Sequence, residues 1–122
     1  MTQENSKQLL LKDLAARLPY GVKIELTWWV MGEGTYTNTI LEPDHIKQFL
    51  NDEDGDTEIK PYLFPMSSMT EEEKLMYEGL MIGTDNISYM LDVIDWLNSN
   101  HFDYRGLIEK GLAIDATELN IY

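Results

Sequence analysis

Residues 85–111 constrain the fold most strongly, because they predict two helices that meet at a sharp corner. Apolar residues recur at helical spacing in the first half and predict one buried stripe on a long amphipathic helix, formed by Ile87, Met90, Leu91, Ile94 and Leu97. Polar residues 98–100 interrupt this spacing. Asp103 is a typical N-cap for a second, short helix over residues 104–110, and Gly111 takes the position of a left-handed C-cap residue.

The N-terminal part of the chain predicts a helix, a β-hairpin and a second, short helix. The first helix spans residues 6–18, and the hairpin consists of strands over 22–31 and 35–41 joined by a turn at 32–34. The short helix begins near Pro43. The first helix has one leucine face, and its charged residues, including Asp13 and Arg17, fall elsewhere. Alternation in the first strand directs the set that begins with Val22 to the core and places Trp29 on the opposite face.

Prolines and a capping pattern divide the middle of the chain. Residues 57–59 predict a short third strand that ends before Pro61. Prolines bracket residues 61–65, which therefore predict an apolar connector that is not helical. Thr70, followed three residues later by Glu73, is the capping-box pattern of another helix.

These elements predict a single domain over residues 1–122 of the α+β class. A small antiparallel sheet, made of the hairpin plus a short third strand, is expected to pack with the N-terminal helix and a C-terminal group of helices. A chain of 122 residues buries about two-thirds of its unfolded surface, which is enough for a core without covalent staples.

The sequence also predicts a soluble cytoplasmic protein. The chain has no cysteine, which excludes disulfides and thiolate metal sites and fits a reducing compartment. No segment approaches the roughly 18 consecutive apolar residues that a membrane span needs. The N-terminal apolar run is short and interrupted by charge, unlike that of a signal peptide.

The chain is strongly acidic, with 22 acidic against 9 basic residues and a net charge of −13. The charge is uneven, because residues 1–42 are nearly neutral whereas residues 43–74 and 75–122 each carry a net −6. Such a field repels nucleic acid and anionic membranes and attracts basic protein surfaces. Two interpretations stay open: a general contribution to solubility, and an acidic face that docks on a protein partner with a basic surface.

Tests for catalytic and metal motifs are negative. If Gly55 is aligned with the glycine of a calcium-binding EF-hand loop, Leu50 and Pro61 fall at ligand positions and supply no side-chain oxygen. There is no nucleophile elbow, phosphate loop or dinucleotide fingerprint. The sequence therefore predicts no metal, no cofactor and no catalytic residue.

Five residues are candidates for binding. Trp29, on the second face of its strand, and Tyr62 and Phe64, in the proline-bracketed connector, are candidate exposed anchors. Packing under the helices is the alternative for these aromatic residues. His101 lies at the helix corner, and the alternative for it is a purely structural role at that corner. Arg105 lies in the most acidic region, and the alternative for it is an internal ion pair with a carboxylate.

Three segments carry a family resemblance: LLLKDLAARLPYGVK (residues 9–23), IKPYLFPMSSMTEEEK (residues 59–74) and DWLNSNHFDYRGLIEKGLAI (residues 95–114). Together, these segments, a little under half of the chain, resemble a group of small uncharacterised proteins of gut Bacteroidetes, often found in phage or prophage-like gene neighbourhoods. The resemblance implies no activity, cofactor or site residue. It leaves the region from Trp28 to Thr57 as the part expected to vary and to set any partner specificity.

Four functional hypotheses follow. The leading one is a non-enzymatic protein-binding module, encoded by a mobile element. The second is an acidic decoy that mimics DNA and occupies a nucleic-acid-binding protein, which requires the carboxylates of residues 52–58, 71–73 and 85–103 to share one face. The third is a small hydrolase-like enzyme that uses carboxylates or His101, which requires a pocket where carboxylates converge. The fourth is a self-associating structural protein.

Overall fold

A computed structural model describes residues 3–28, 34–52, 55, 57–82 and 87–122. These residues form an α+β fold, which confirms the predicted class, and their regular elements in chain order are α1 (Gln3–Arg17), β1 (Lys23–Trp28), β2 (Gly34–Ile40), α2 (Pro43–Leu50), β3 (Thr57–Pro65), α3 (Glu71–Met81), α4 (Ile87–Ser99), β4 (Phe102–Asp103) and β5 (Ile114–Asp115). Short 3-10 turns follow α1 and β3.

The strands form one mixed sheet around β3. The order is β2-β1-β3-β4, and β5 also pairs with β3. Both β2 and β3 run antiparallel to β1, as the predicted hairpin and third strand require. The predicted sheet does not include the two-residue strands β4 and β5, which run parallel to β3 and make the sheet mixed.

Strand β3 is longer than predicted and includes both prolines of the expected connector. Its first half pairs with β1 as far as Pro61, and its second half pairs with β4 and β5. The fixed φ of proline is compatible with an extended chain, and the missing N–H falls where the strand changes partners. The bonds then continue from Phe64 N–H to the His101 carbonyl (2.8 Å) and from Ala116 N–H to the Leu63 carbonyl (2.8 Å).

The hairpin of β1 and β2 depends on a close contact between Trp28 and Gly34. These two residues are register partners, and a Cβ at position 34 would overlap the indole ring of Trp28. The indole also packs on Tyr36, with ring centroids 4.7 Å apart. The inward set predicted for β1 is confirmed for Val22, Ile24 and Leu26, which are buried. The predicted position of Trp29 and the turn at 32–34 lie outside the described residues, except for Gly34.

Two hydrophobic clusters hold the elements together. The larger one joins α1, β1, α2, β3 and the C-terminal turns through a set of buried side chains: Leu10, Leu14, Val22, Ile24, Leu26, Leu41, Phe49, Ile59, Leu63, Leu107 and Ala113. The smaller one joins α4 to β4 through Met69, Val93, Leu97 and Phe102, with Phe64, Tyr77 and Trp96 packed around them.

The expectation that Asp13 and Arg17 lie away from the core is wrong, because both are fully buried. The Arg17 Nε donates to the Asp13 carboxylate (2.8 Å), and another guanidinium nitrogen of Arg17 donates to the Phe102 carbonyl (2.6 Å). Arg105 donates to the second Asp13 oxygen (2.9 Å). The two guanidinium groups balance the buried charge of the Asp13 carboxylate. Their hydrogen bonds also connect α1 to the C-terminal half of the chain.

The corner after α4 differs from the prediction in its second half. Helix α4 ends at Ser99, as residues 98–100 indicate, but residues 104–110 form turns and no helix. Gly106, with φ of 71°, interrupts the path that a helix would follow. The Asp103 carboxylate reaches past it and accepts two backbone N–H bonds of 2.9 Å from the final turn. Gly111, with φ of 73°, ends that turn in the expected left-handed conformation.

Candidate functional site

An apolar stripe on α4 is exposed to solvent. It consists of Ile87, Met90, Leu91 and Ile94, whose side chains are between 38% and 75% exposed. Their spacing places them on one helix face, which we call the α4 stripe. The prediction that these residues are buried is wrong, and only Leu97 of the predicted set lies in the core.

Helix α4 packs on the protein through a neighbouring face. Val93 and Leu97 are buried, and Trp96 packs against Phe102 at 5.6 Å and against Tyr77 of α3 at 6.3 Å between ring centroids. These contacts fix the rotation of α4 about its axis. The α4 stripe is therefore held outward by a packed aromatic cluster.

Helix α3 adds exposed apolar side chains beside α4. The predicted capping box is confirmed, because the Thr70 hydroxyl accepts from the Glu73 N–H (3.2 Å) and the Glu73 carboxylate accepts from the Thr70 N–H (2.9 Å). Leu75, Met76 and, after the end of the helix, Ile82 are all more than half exposed. Exposed apolar surface on two packed helices is typical of an interaction site.

The surroundings of the α4 stripe are acidic. Asp92 and Asp95 are exposed on α4, whose sequence contains no lysine or arginine. Asp95 lies one turn after Leu91 and accepts a hydrogen bond from the Tyr20 hydroxyl (2.9 Å), which raises the pKa of Tyr20. The carboxylate beside the stripe is thus held in place by a contact from outside the helix.

Two of the sequence-predicted binding residues meet in a second feature, a cleft of about 380 Å³. Its lining comprises Phe64, Ser68, Glu73, Ser99, Asn100, His101, Phe102, Thr117 and Tyr122. Phe64 is therefore half-buried in a cleft wall and does not project as an anchor. The imidazole of His101 stacks on Tyr122, with centroids 3.8 Å apart, and the Tyr122 hydroxyl donates to the Tyr62 carbonyl (2.7 Å).

His101 is a structural corner residue. Its φ of 61° turns the chain from α4 into β4, and its carbonyl accepts from Phe64 N–H. Burial, reinforced by the charges of Arg17 and Lys23, lowers the pKa of His101 to about 4, so the imidazole is neutral near pH 7. Its Nδ1 is buried without a hydrogen-bond partner among the described residues. The neighbouring Asp103 does not orient the imidazole, since its carboxylate is bound to backbone N–H groups.

The lowered pKa of His101 gives a pH-dependent stability. Below the ordinary pKa of 6.5, the imidazole takes up a proton in the unfolded chain, whereas in the folded protein it stays neutral until about pH 4. The contribution of His101 to the free energy of unfolding is therefore complete above pH 6.5 and is lost as the pH falls toward 4. We expect a loss of about 1–2 kcal/mol in the free energy of unfolding between pH 7 and pH 5. His101→Asn should lack this component, because the asparagine side chain does not take up a proton in this pH range. Asparagine also tolerates the positive φ at this position, so the variant should keep the fold. Equal losses in both proteins, measured by urea unfolding, would contradict it.

The remaining predicted binding residues have structural roles. Tyr62 is buried in β3, so its expected exposure is wrong. The internal ion pair expected as an alternative for Arg105 is confirmed, and its partner is Asp13 of α1, which is distant in the sequence. The Arg105 guanidinium also lies over the Tyr104 ring at 4.8 Å and donates to the Tyr104 hydroxyl at 3.0 Å.

The geometry offers little for catalysis at the cleft. Among the described residues that line the cleft, Glu73 is the one acidic side chain, and it is bound in the α3 capping box. Within the described ranges, no three His, Asp or Glu side chains converge as a metal site requires. None of the helices formed by the described residues has the length and apolarity needed to cross a bilayer.

Comparison with known proteins found no matching family model, no matching curated protein and no matching solved structure. The candidate site therefore depends on geometry alone. The residues of the α4 stripe are absent from the candidate binding residues, because their helical spacing predicts burial in the core. The available signal was the excess of apolar residues in α4, where Val93, Trp96 and Leu97 already supply a packing face.

Proposed function

We propose that this protein is a non-enzymatic protein-binding module and that the α4 stripe is its docking surface for a partner with a basic surface. The observation that carries the proposal is the exposure of four large apolar side chains on one helix face. Full burial of a side chain of this size contributes about 1.5–3 kcal/mol. A partner that covers several of them gains enough free energy to form a specific complex, even after the entropic cost of association.

The charge of the protein supports a basic partner. The net charge of −13 attracts positively charged surfaces over a long range and disfavours direct binding to nucleic acid or anionic membranes. Exposed Asp92 and Asp95 bring this charge to the α4 stripe itself. The absence of cysteine accords with action in a reducing cytoplasm.

The other hypotheses have less support. An enzyme that uses His101 would need a free carboxylate nearby, whereas Glu73 is held by the capping box. A DNA mimic would need its carboxylates on one exposed face. Of the described acids in the required set, Asp103 is buried and Glu58 pairs with Lys60 at 3.1 Å.

Affinity capture with matched variants tests the proposal. Leu91→Gln removes a leucine of the α4 stripe that is 55% exposed, and Leu50→Gln removes a leucine of α2 that is 56% exposed. Because both sites are on the surface, each change should alter the free energy of unfolding by no more than about 0.5 kcal/mol. We expect the native protein and Leu50→Gln to retain the same partner from a lysate of the expressing cells, and Leu91→Gln to lose it.

Quantitative mass spectrometry of the three captures provides the measurement. Equal recovery of the partner by Leu91→Gln would contradict the assignment of the α4 stripe. Failure of the native protein to retain any protein would contradict the binding function and favour the enzymatic hypothesis. Circular dichroism of each variant before capture establishes that a lost partner does not reflect a lost fold.

A further inference from the structure

We infer that the occupant of the α4 stripe is a basic amphipathic helix of the partner protein, and this inference depends on the proposed function. The α4 stripe runs along one helix, with its residues at positions i, i+3, i+4 and i+7. From Ile87 to Ile94 it extends about 10 Å along the axis. A linear apolar ridge of this kind fits the groove of another helix that packs along it.

The existing packing of α4 leaves room for such a helix on one side. Its buried face is already occupied by the aromatic cluster of Trp96 and Phe102, and α3 packs against it through Tyr77. The exposed Leu75 on α3 and Ile82, just after the end of α3, add apolar surface to the packed pair of helices α3 and α4. A helix laid on the α4 stripe would therefore extend a helical layer that is already present.

The charge beside the α4 stripe determines which kind of helix fits. On the surface of α4, Asp95 lies beside Leu91 at the border of the stripe, and Asp92 lies beside Asp95. Both aspartates are exposed to solvent. The bond from Tyr20 holds the Asp95 carboxylate at the border of the stripe. A helix with lysine or arginine beside its apolar face would meet these carboxylates. A second copy of this chain would instead place carboxylates opposite carboxylates, and its net charge of −13 would repel the first.

Two synthetic peptides of identical composition test the inference directly. One arranges leucine and lysine as an amphipathic helix, and the other carries the same residues in a scrambled order, so that charge is equal and only the apolar face differs. Fluorescence anisotropy should show that the native protein binds the amphipathic peptide at least about tenfold more tightly than the scrambled one. Leu91→Gln should weaken this binding about tenfold, whereas Leu50→Gln should leave it within about twofold.

A charge variant provides the second arm. Asp92→Asn together with Asp95→Asn should weaken the amphipathic peptide several-fold and reduce the salt dependence of binding. Equal affinity for both peptides, or no effect of Leu91→Gln, would overturn the inference, since attraction would then come from net charge alone. A dimer in light scattering that Leu91→Gln dissociates would also overturn it, in favour of a second copy as occupant.

The outcomes for the inference and for the proposed function can be separated. If a cellular partner requires Leu91 but the amphipathic peptide does not bind, the docking function stands and the helical basic occupant is wrong. If neither the partner nor the peptide depends on Leu91, both are wrong.

Discussion

Asp13→Ala is expected to lower the free energy of unfolding by about 3–5 kcal/mol. The change removes the carboxylate that both Arg17 and Arg105 contact, at 2.8 and 2.9 Å. Arg17 is fully buried, so its charge would be left in the interior without a carboxylate to balance it. Urea unfolding monitored by tryptophan fluorescence measures the loss.

Two variants separate this effect from helix propensity. Lys12→Ala changes an exposed neighbour on α1 and should alter stability by no more than about 0.5 kcal/mol. Asp13→Leu combined with Arg17→Met should recover part of the loss, because an apolar pair does not leave an uncompensated buried charge. A loss below about 1 kcal/mol for Asp13→Ala would show that water reaches the guanidinium groups and that the network contributes little.

Phe102→Ala is also expected to cost about 3–5 kcal/mol. Phe102 is 2% exposed, lies between Trp96 and Phe64 with ring centroids 5.6 and 6.4 Å away, and pairs with Phe64 in the parallel strands. Its removal leaves a cavity in the cluster that orients α4. We therefore expect the near-ultraviolet circular dichroism of the aromatic cluster to weaken along with the free energy of unfolding.

Phe102→Leu is the matched control, because leucine keeps most of the apolar contact and should recover a large part of the loss. The Arg17 guanidinium donates to the backbone carbonyl of residue 102, which neither substitution removes, so we expect the difference between the two variants to report side-chain packing. A loss below about 1 kcal/mol in Phe102→Ala would indicate that the smaller cluster is dispensable and that α4 is held by other contacts.

The sequence predicts correctly those elements that have a clear local pattern, either of apolar spacing or of helix capping. The alternation after Val22 predicted β1, and the pairing of Thr70 with Glu73 predicted the start of α3. The length of β3 could not be predicted from the sequence, because a proline such as Pro61 ordinarily ends a strand. Pro61 lies where β3 changes its pairing from β1 to β5, so its missing N–H removes no hydrogen bond between strands. The position of this change depends on the tertiary structure and cannot be read from the local sequence.

The candidate site was harder to predict than the fold. Periodicity identifies an apolar stripe but does not say whether the rest of the chain covers it, so the exposure of Leu91 needed the structure. Likewise, the burial of Asp13 depends on Arg105, which lies 92 residues away in the chain. Proline bracketing suggests exposure at Tyr62, whereas the residue is buried in β3, where it pairs with β5.

The central claim is that the α4 stripe is the docking surface, and a nuclear magnetic resonance titration tests it most directly. The ¹⁵N-labelled protein is titrated with the basic amphipathic peptide, and amide shifts are followed along the chain. The account predicts that the largest changes fall on residues 87–95 of α4, with smaller changes at the neighbouring residues 75–82. Changes centred on the cleft at His101, or spread evenly over the acidic surface, would contradict it.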